Sequence, residues 1–302
     1  MKLEVKKGMV KTHLGSLGYL ISESAKPNQT PILCFHSSPR SADEFREVLP
    51  LLAATNRRVI AIDSPGYGIS ENPEHSCSVD EVADSYLEVA DFLGIHSFIV
   101  LGSLMGSFPA ASLSSRAPDR VEASIYVNLY YCPSLHLQVF HKGNSDDDTA
   151  STASTTSTSS APIQETFNLK EDGSHLMDLH NQRKWLDPEL NFRVIRDEIS
   201  YLANRRERYA HGISIECYKT FNFETPAKKS KCPTLCIKGE EGLAFFDLIG
   251  LEGTNRFEEA CGFFNECEVK SISGPKSTIN LINQEPQKIS EVCLSFLDEH
   301  NL

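Results

Sequence analysis

Residues 100–111 read V-L-G-S-L-M-G-S-F-P-A-A, and this stretch decides the fold. An apolar run over 97–101 predicts a strand. It enters a tight turn holding Gly102 and Gly106, and a helix is expected from near Met105 to about Arg116. Strand, sharp turn and helix, with glycines two before and two after the apex, is the geometry of a nucleophile elbow. The apex here is Leu104. Leucine has no lone pair and no acidic proton, so it cannot attack a carbonyl or an epoxide.

Working outward, residues 9–14 and 17–22 read as two strands joined at Gly15, antiparallel at a sheet edge. Residues 31–35 form a short buried strand, followed by H-S-S-P (36–39) and a helix over 42–53. The strand 58–62 ends in D-S-P-G-Y-G (63–68), a rigid turn by composition. Ser78 and Glu81 have capping-box spacing, with Val82, Tyr86, Val89 and Leu93 following at helical intervals. A strand over 121–127 completes the first half. Strands and helices alternating in this way predict a mostly parallel sheet covered on both faces.

The alternation stops after Asn128. Residues 143–165 are of low complexity, rich in Ser and Thr, and read as a disordered loop. Helices are expected over 176–184 and 190–211, with W-L-D-P-E-L-N (185–191) as the corner between them. The sheet resumes with strands at 233–237 and 267–272, a helix near 255–264 and a last helix over 286–297. The expected organisation is a core of 1–129 and 232–302 interrupted by an insertion, 130–231.

A net charge of −12 and the lack of a long basic stripe argue against a nucleic-acid partner. The Arg205, Arg206 and Arg208 cluster, interrupted by Glu207, reads as a solvated helix face. Nine cysteines make no disulfide framework, and an odd number of thiols fits a reducing compartment. Cys232 and Cys236 lack a second pair to complete a tetrahedral set, so no metal site and no cofactor are expected. The N-terminus has no signal-peptide pattern and no stretch reaches membrane-spanning length, which predicts a cytoplasmic protein without a membrane partner.

Four motifs in order carry a resemblance: H-S-S-P (36–39), D-S-P-G-Y-G (63–68), the elbow at 102–106 and G-E-E-G (239–242) after a late strand. Together the chain resembles the α/β-hydrolase superfamily, in its capped branch of epoxide hydrolases, haloalkane dehalogenases and esterases. The resemblance implies an α/β-hydrolase fold with the 130–231 insertion as a helical cap. Carried over residue by residue, the nucleophile position is Leu104, the acid position Gly242 and the histidine position Ser277, so the triad is replaced throughout. Asn128 stands where some relatives carry the acid, and its amide cannot replace a carboxylate. Glu240, Glu241 and Asp247 read as a charged loop.

Two residues are weak catalytic candidates. Ser103 is a nucleophile only in a slipped register and lacks an obvious base, while His36 reads first as a buried structural histidine. The resemblance places backbone oxyanion donors at Met105 and Ser38. The expected pocket is built from His36, Ser37, Ser38, Leu104, Met105 and Trp185, with Phe140, His180 and Tyr201 as further cap candidates. Arg183, Arg193 and Arg196 would suit an acidic ligand, with solvent exposure the simpler expectation.

Three functions stay open at this point. The first is a small-molecule-binding pseudoenzyme with an apolar ligand, working as a monomer or homodimer. The second is a lyase, isomerase or cyclase using the capped pocket. The third is an esterase- or epoxide-hydrolase-like enzyme with displaced catalytic residues.

Overall fold

The computed structural model describes residues 3–131, 171–182, 184, 186–204, 221–242 and 256–302. The low-complexity stretch 143–165, Phe140, Arg183, Trp185, the arginines at 205–208 and Asp247 lie outside the described residues, as does much of the expected cap.

An eight-stranded sheet forms the body. Its strands are β1 (Lys6–Thr12), β2 (Gly15–Glu23), β3 (Ile32–Phe35), β4 (Arg58–Ile62), β5 (Phe98–Ser103), β6 (Val121–Val127), β7 (Thr234–Gly239) and β8 (Cys267–Ile272). They stand in the order β1-β2-β4-β3-β5-β6-β7-β8. β1, β2 and β4 pair antiparallel, and every later neighbour pairs parallel. The described helices are α1 (Val48–Ala53), α2 (Val79–Phe92), α3 (Ser107–Arg116), α4 (Ser174–Gln182), α5 (Pro188–Asn204), α6 (Glu224–Lys229), α7 (Phe257–Cys261), α8 (Leu281–Gln284) and α9 (Pro286–Glu299).

The two-residue period of the strands sorts the core into two layers. Leu33, Phe35, Ile60, Ile62, Phe98, Val100 and Tyr126 face one side, packed with residues of α2, α3 and α6. Ile32, Cys34, Val59, Ala61, Ile99, Leu101 and Ile125 face the other, against α1 and α9. The central strands β3 and β5 are therefore buried at every position, as a doubly covered parallel sheet demands.

Local signals hold where they have a mechanism. Ser78 Oγ accepts the Glu81 N–H at 3.1 Å and the Glu81 carboxylate accepts the Ser78 N–H at 2.8 Å, closing the expected capping box on α2. Pro286 opens α9 within its first turn. The helix expected over 42–53 is broken in two: a 3-10 turn over Ala42–Phe45 precedes α1. The break follows from tertiary demand. Asp43 and Glu44 are buried and turned to charged and hydroxyl partners from distant segments, which a continuous helix face would not allow.

Among the described residues no helix is long and apolar enough to cross a membrane, and no described cysteine is in a disulfide.

Candidate functional site

The C-terminal ends of β3 and β5 meet at the elbow. Ser103 closes β5, a 3-10 turn runs over Leu104–Gly106, and α3 begins at Ser107, two residues later than the sequence predicts. Leu104 sits at the apex with φ 46°, in the left-handed region that L-residues other than Asn, Asp and Gly avoid. Its neighbours impose that conformation. A Cβ on Gly106 would lie 2.0 Å from the Phe35 carbonyl oxygen, and one on Gly102 would lie 2.6 Å from Ser107 Cα. Strand, turn and helix are packed too closely for any residue but glycine at these two places.

Beneath the apex the polar groups are satisfied. Ser103, 1% exposed, donates its hydroxyl to Glu44 Oε1 at 2.7 Å. Glu44 Oε2 in turn accepts the Ser37 N–H at 2.7 Å and the Ser37 hydroxyl at 3.0 Å. One buried carboxylate thus ties the H-S-S-P turn to the elbow. His36 Nε2 accepts the Ser64 N–H at 2.9 Å, and its Nδ1–H donates to the Ser37 carbonyl at 2.7 Å. Both ring nitrogens are used, which fixes the orientation of the imidazole and marks it as a structural group. Ser38 Oγ hydrogen-bonds Tyr67 Oη at 2.9 Å, and Tyr67 stacks on Tyr201 of α5 with ring centroids 5.0 Å apart.

The D-S-P-G-Y-G turn is wound around Asp63, whose carboxylate accepts the Ala42 N–H at 2.6 Å and the Ile69 N–H at 3.0 Å. Burial pushes the Asp63 carboxyl up, opposed by His36 and by these two donors.

Comparison with known proteins agrees with this geometry. The family model for the alpha/beta hydrolase fold matches residues 30–152. A solved hydrolase from Pseudomonas aeruginosa PA01 superposes with a TM-score of 0.68 at 18% identity, covering 97% of this chain and 98% of that one. The enol-lactonase of Burkholderia xenovorans LB400 gives 0.65 at 16% identity, over 96% and 100%. The chain has the α/β-hydrolase fold. Among curated sequences, a putative non-heme haloperoxidase of Mycobacterium phage D29 is 29% identical over 111 residues, 37% of this chain and 40% of that protein. The chain thus spans less than half the length of the curated relatives it matches.

Within this α/β-hydrolase fold, the structure brings the Gly242 and Ser277 positions together. A Cβ on Gly242 would lie 3.1 Å from the Thr278 carbonyl oxygen, and one on Gly239 would lie 2.2 Å from the Ser277 carbonyl oxygen. Ser277 is fully buried, donates its hydroxyl to the Gly274 carbonyl at 2.6 Å and accepts the Glu241 N–H at 3.3 Å. Asn128, at φ 51° after β6, stitches the corner: Oδ1 accepts the Gly239 N–H at 2.8 Å and Nδ2 donates to the Thr278 carbonyl at 3.0 Å. Its amide serves as donor and acceptor at once, a combination that a carboxylate cannot supply. Glu240 and Glu241 are exposed.

Two expectations need correcting. Ser103 does have a carboxylate partner, Glu44, and the pair is buried beneath the turn that carries Leu104. Arg193 is largely withdrawn from solvent and ion-paired, whereas Arg196 is exposed, as expected, and ion-paired as well. Arg193 reaches Asp43 at 3.1 Å and Glu47 at 2.5 Å, and Arg196 reaches Asp43 and Asp197 at 3.1 and 2.8 Å. Burial alone would raise Asp43; hydrogen bonding and charge from Arg46, Arg196 and Arg193 win and hold it below the ordinary carboxylate range. Asp197 also accepts from Ser41 at 3.0 Å and pairs with the buried Arg40 at 3.4 Å, so helix α5 is clamped to the 40–47 segment.

The sequence reading missed this clamp because its members are scattered over 150 residues with no local spacing rule. A cavity of about 210 Å³ opens beside it, lined in part by Asp43, Arg46, Asp63, Arg196 and Asp197, and not by Leu104, Met105 or Ser38. Around the elbow, His36, Ser37 and Leu104 are buried while Ser38 and Met105 are half-buried. His180 is exposed and lies within 3.2 Å of the Asn191 amide.

Proposed function

We propose that this chain is a non-hydrolytic member of the superfamily, a pseudoenzyme that binds an apolar small molecule over the elbow. The observation that carries the reading is Leu104, an apolar side chain held at φ 46° where the fold presents a nucleophile. Its surroundings support it. Ser103 is bound to Glu44 beneath the turn, His36 has both nitrogens occupied, and positions 242 and 277 carry glycine and serine. Leu104 and the half-buried Met105 then form an apolar floor, with the backbone N–H groups of Met105 and Ser38 available to orient a ligand oxygen. Residues 130–231 act as the cap, and α5 reaches the core through Tyr201 on Tyr67 and through the arginine clamp. The reading takes the protein as cytosolic, monomeric or homodimeric and without a nucleic-acid partner, in keeping with its charge and with described thiols that form no disulfide.

The test has two arms. An active-site-directed fluorophosphonate and a p-nitrophenyl ester should leave the protein unlabelled and give no burst. An apolar reporter, anilinonaphthalene sulfonate, should bind near one equivalent, and Leu104→Asp should abolish that binding while the fold is kept. Stoichiometric labelling overturns the non-hydrolytic half; unchanged dye binding in Leu104→Asp overturns the pocket.

The curated relatives named as hydrolases favour a hydrolase as the reading to beat. It rests on Ser103 with Glu44, the one hydroxyl near the elbow with a carboxylate at 2.7 Å. Loss of esterase turnover in a folded Ser103→Ala variant would decide for it.

A further inference from the structure

The thiols on the other half of the sheet are not scattered. Cys236 lies within β7, Cys261 ends α7 and Cys267 opens β8. β7 and β8 pair in parallel with Thr234 opposite Cys267, so Cys236 and Cys267 sit one diagonal apart, and α7 closes over them. The three sulfur atoms lie within 4.8 Å of one another, and Cys236 and Cys267 approach to 3.6 Å. Cys236 and Cys261 are buried, whereas Cys267 is partly open to solvent, which gives an entry path.

Sulfurs at tetrahedral or trigonal positions around a metal at about 2.3 Å stand roughly 3.7–4.0 Å apart. The cluster is therefore near the spacing of an assembled site without further movement of the backbone. Its donor set is all sulfur, with no histidine or carboxylate in the triangle among the described residues. Glu258, next in line on α7, is paired with Lys238 at 2.5 Å. Three soft donors in a largely apolar shell that includes Phe257 and Phe264 select against oxygen-seeking ions and against a four-coordinate nitrogen–sulfur zinc centre.

We propose that Cys236, Cys261 and Cys267 form a three-sulfur site for a soft monovalent d10 cation, represented by copper(I). Binding requires no electron transfer: each thiol that ligates gives its proton to solvent, and the cation offsets part of the negative charge so left, the remainder falling on the sulfur at Cys267, which is partly open to solvent. The site is independent of the elbow and of the small-molecule reading made there.

Copper(I), delivered under reducing conditions to the whole chain in competition with a bicinchoninate chelator, should be retained at one equivalent with sulfur-only coordination by X-ray absorption. Cys261→Ser and Cys267→Ser should each weaken retention by about 100-fold or more, since each removes a ligand rather than an outer partner. Cys77→Ser, Cys132→Ser and Cys217→Ser should leave it unchanged. Because a variant can fail by misfolding, the wild-type protein is also alkylated with iodoacetamide with and without copper(I) and mapped by mass spectrometry. Protection confined to Cys236, Cys261 and Cys267 is expected. Retention equal to that of the Cys261→Ser and Cys267→Ser variants, protection at other cysteines, or a Cys236–Cys267 disulfide with no copper uptake would each overturn the site.

Discussion

The elbow and the corner formed by 239–242 and 274–280 lie at the ends of neighbouring parts of one sheet, yet they are held by different forces. At the elbow the approach of strand and helix rests on contact, with the buried Ser103–Glu44 hydrogen bond beneath it: Gly102 and Gly106 let helix and strand approach within distances that forbid a Cβ. The side chain at its apex contributes nothing to that closure. At the corner the closure is made by side-chain hydrogen bonds, with Asn128 and Ser277 bridging β6, β7 and the following loop. The shape of the elbow therefore rests on positions 102 and 106, whereas the side chains of the corner serve as scaffold.

Gly106→Ala should break that contrast most severely. The new Cβ would lie 2.0 Å from a backbone oxygen that cannot yield, and a loss of about 3 kcal/mol or more is expected in urea unfolding. A loss under about 1 kcal/mol would show that the elbow is not fixed by contact. Asn128→Asp comes next, at about 2–3 kcal/mol, because it removes the donor to Thr278 and sets a carboxylate against a carbonyl. The same variant should gain no esterase activity; a gain would mean that the corner still accepts a catalytic acid.

Leu104→Ser should cost about 1–3 kcal/mol through lost apolar burial and remain unlabelled by a fluorophosphonate. Leu104→Gly should cost less than the size of the lost side chain implies, since glycine relieves about 1 kcal/mol of left-handed strain. Equal losses for the two would show that the strain is already relaxed in the native turn.

The smallest effect lies outside both regions and calibrates them. Hydrogen bonds from the Ser78 backbone and side chain, with a further one from His75, hold the Glu81 carboxyl down to about 2. A depressed folded pKa stabilises above the unfolded value of about 4.3 and is lost as pH falls toward 2. Glu81→Gln should therefore be less stable than wild type by about 0.5–1 kcal/mol at pH 7, and the gap should close by pH 2. A gap independent of pH would assign the loss to packing.

Much of the scaffold was legible because it rests on local rules. The strands 58–62, 121–127 and 267–272 coincide with β4, β6 and β8, and Ser78 with Glu81 marked the start of α2. The elbow was legible because two glycines at fixed spacing have a steric reason. The short α6 and α8 went unread, each being too brief to display a period. Glu44 also went unread as a site residue: a lone glutamate in an amphipathic stretch looks solvated until Ser37, in the turn after β3, and Ser103, at the end of β5, arrive beside it. The three converging thiols share that cause, since 236, 261 and 267 have no spacing that a sequence motif describes.

Asn128 also sets the direction in which this chain can change. At the apex one substitution places a hydroxyl on a backbone already in the required conformation. At the corner, an acid at position 242 would bring its Cβ to 3.2 Å from the Asn128 amide and 3.1 Å from the Thr278 carbonyl, and an imidazole at 277 would need room where the serine is fully enclosed. If the chain is non-hydrolytic as proposed, a mutational path to a hydrolase is thus short at its visible end and obstructed at its hidden one. Each intermediate along that path would lose stability at the corner, where glycine-to-acid and serine-to-imidazole changes meet enclosed backbone, while a change at position 104 meets none of these obstacles.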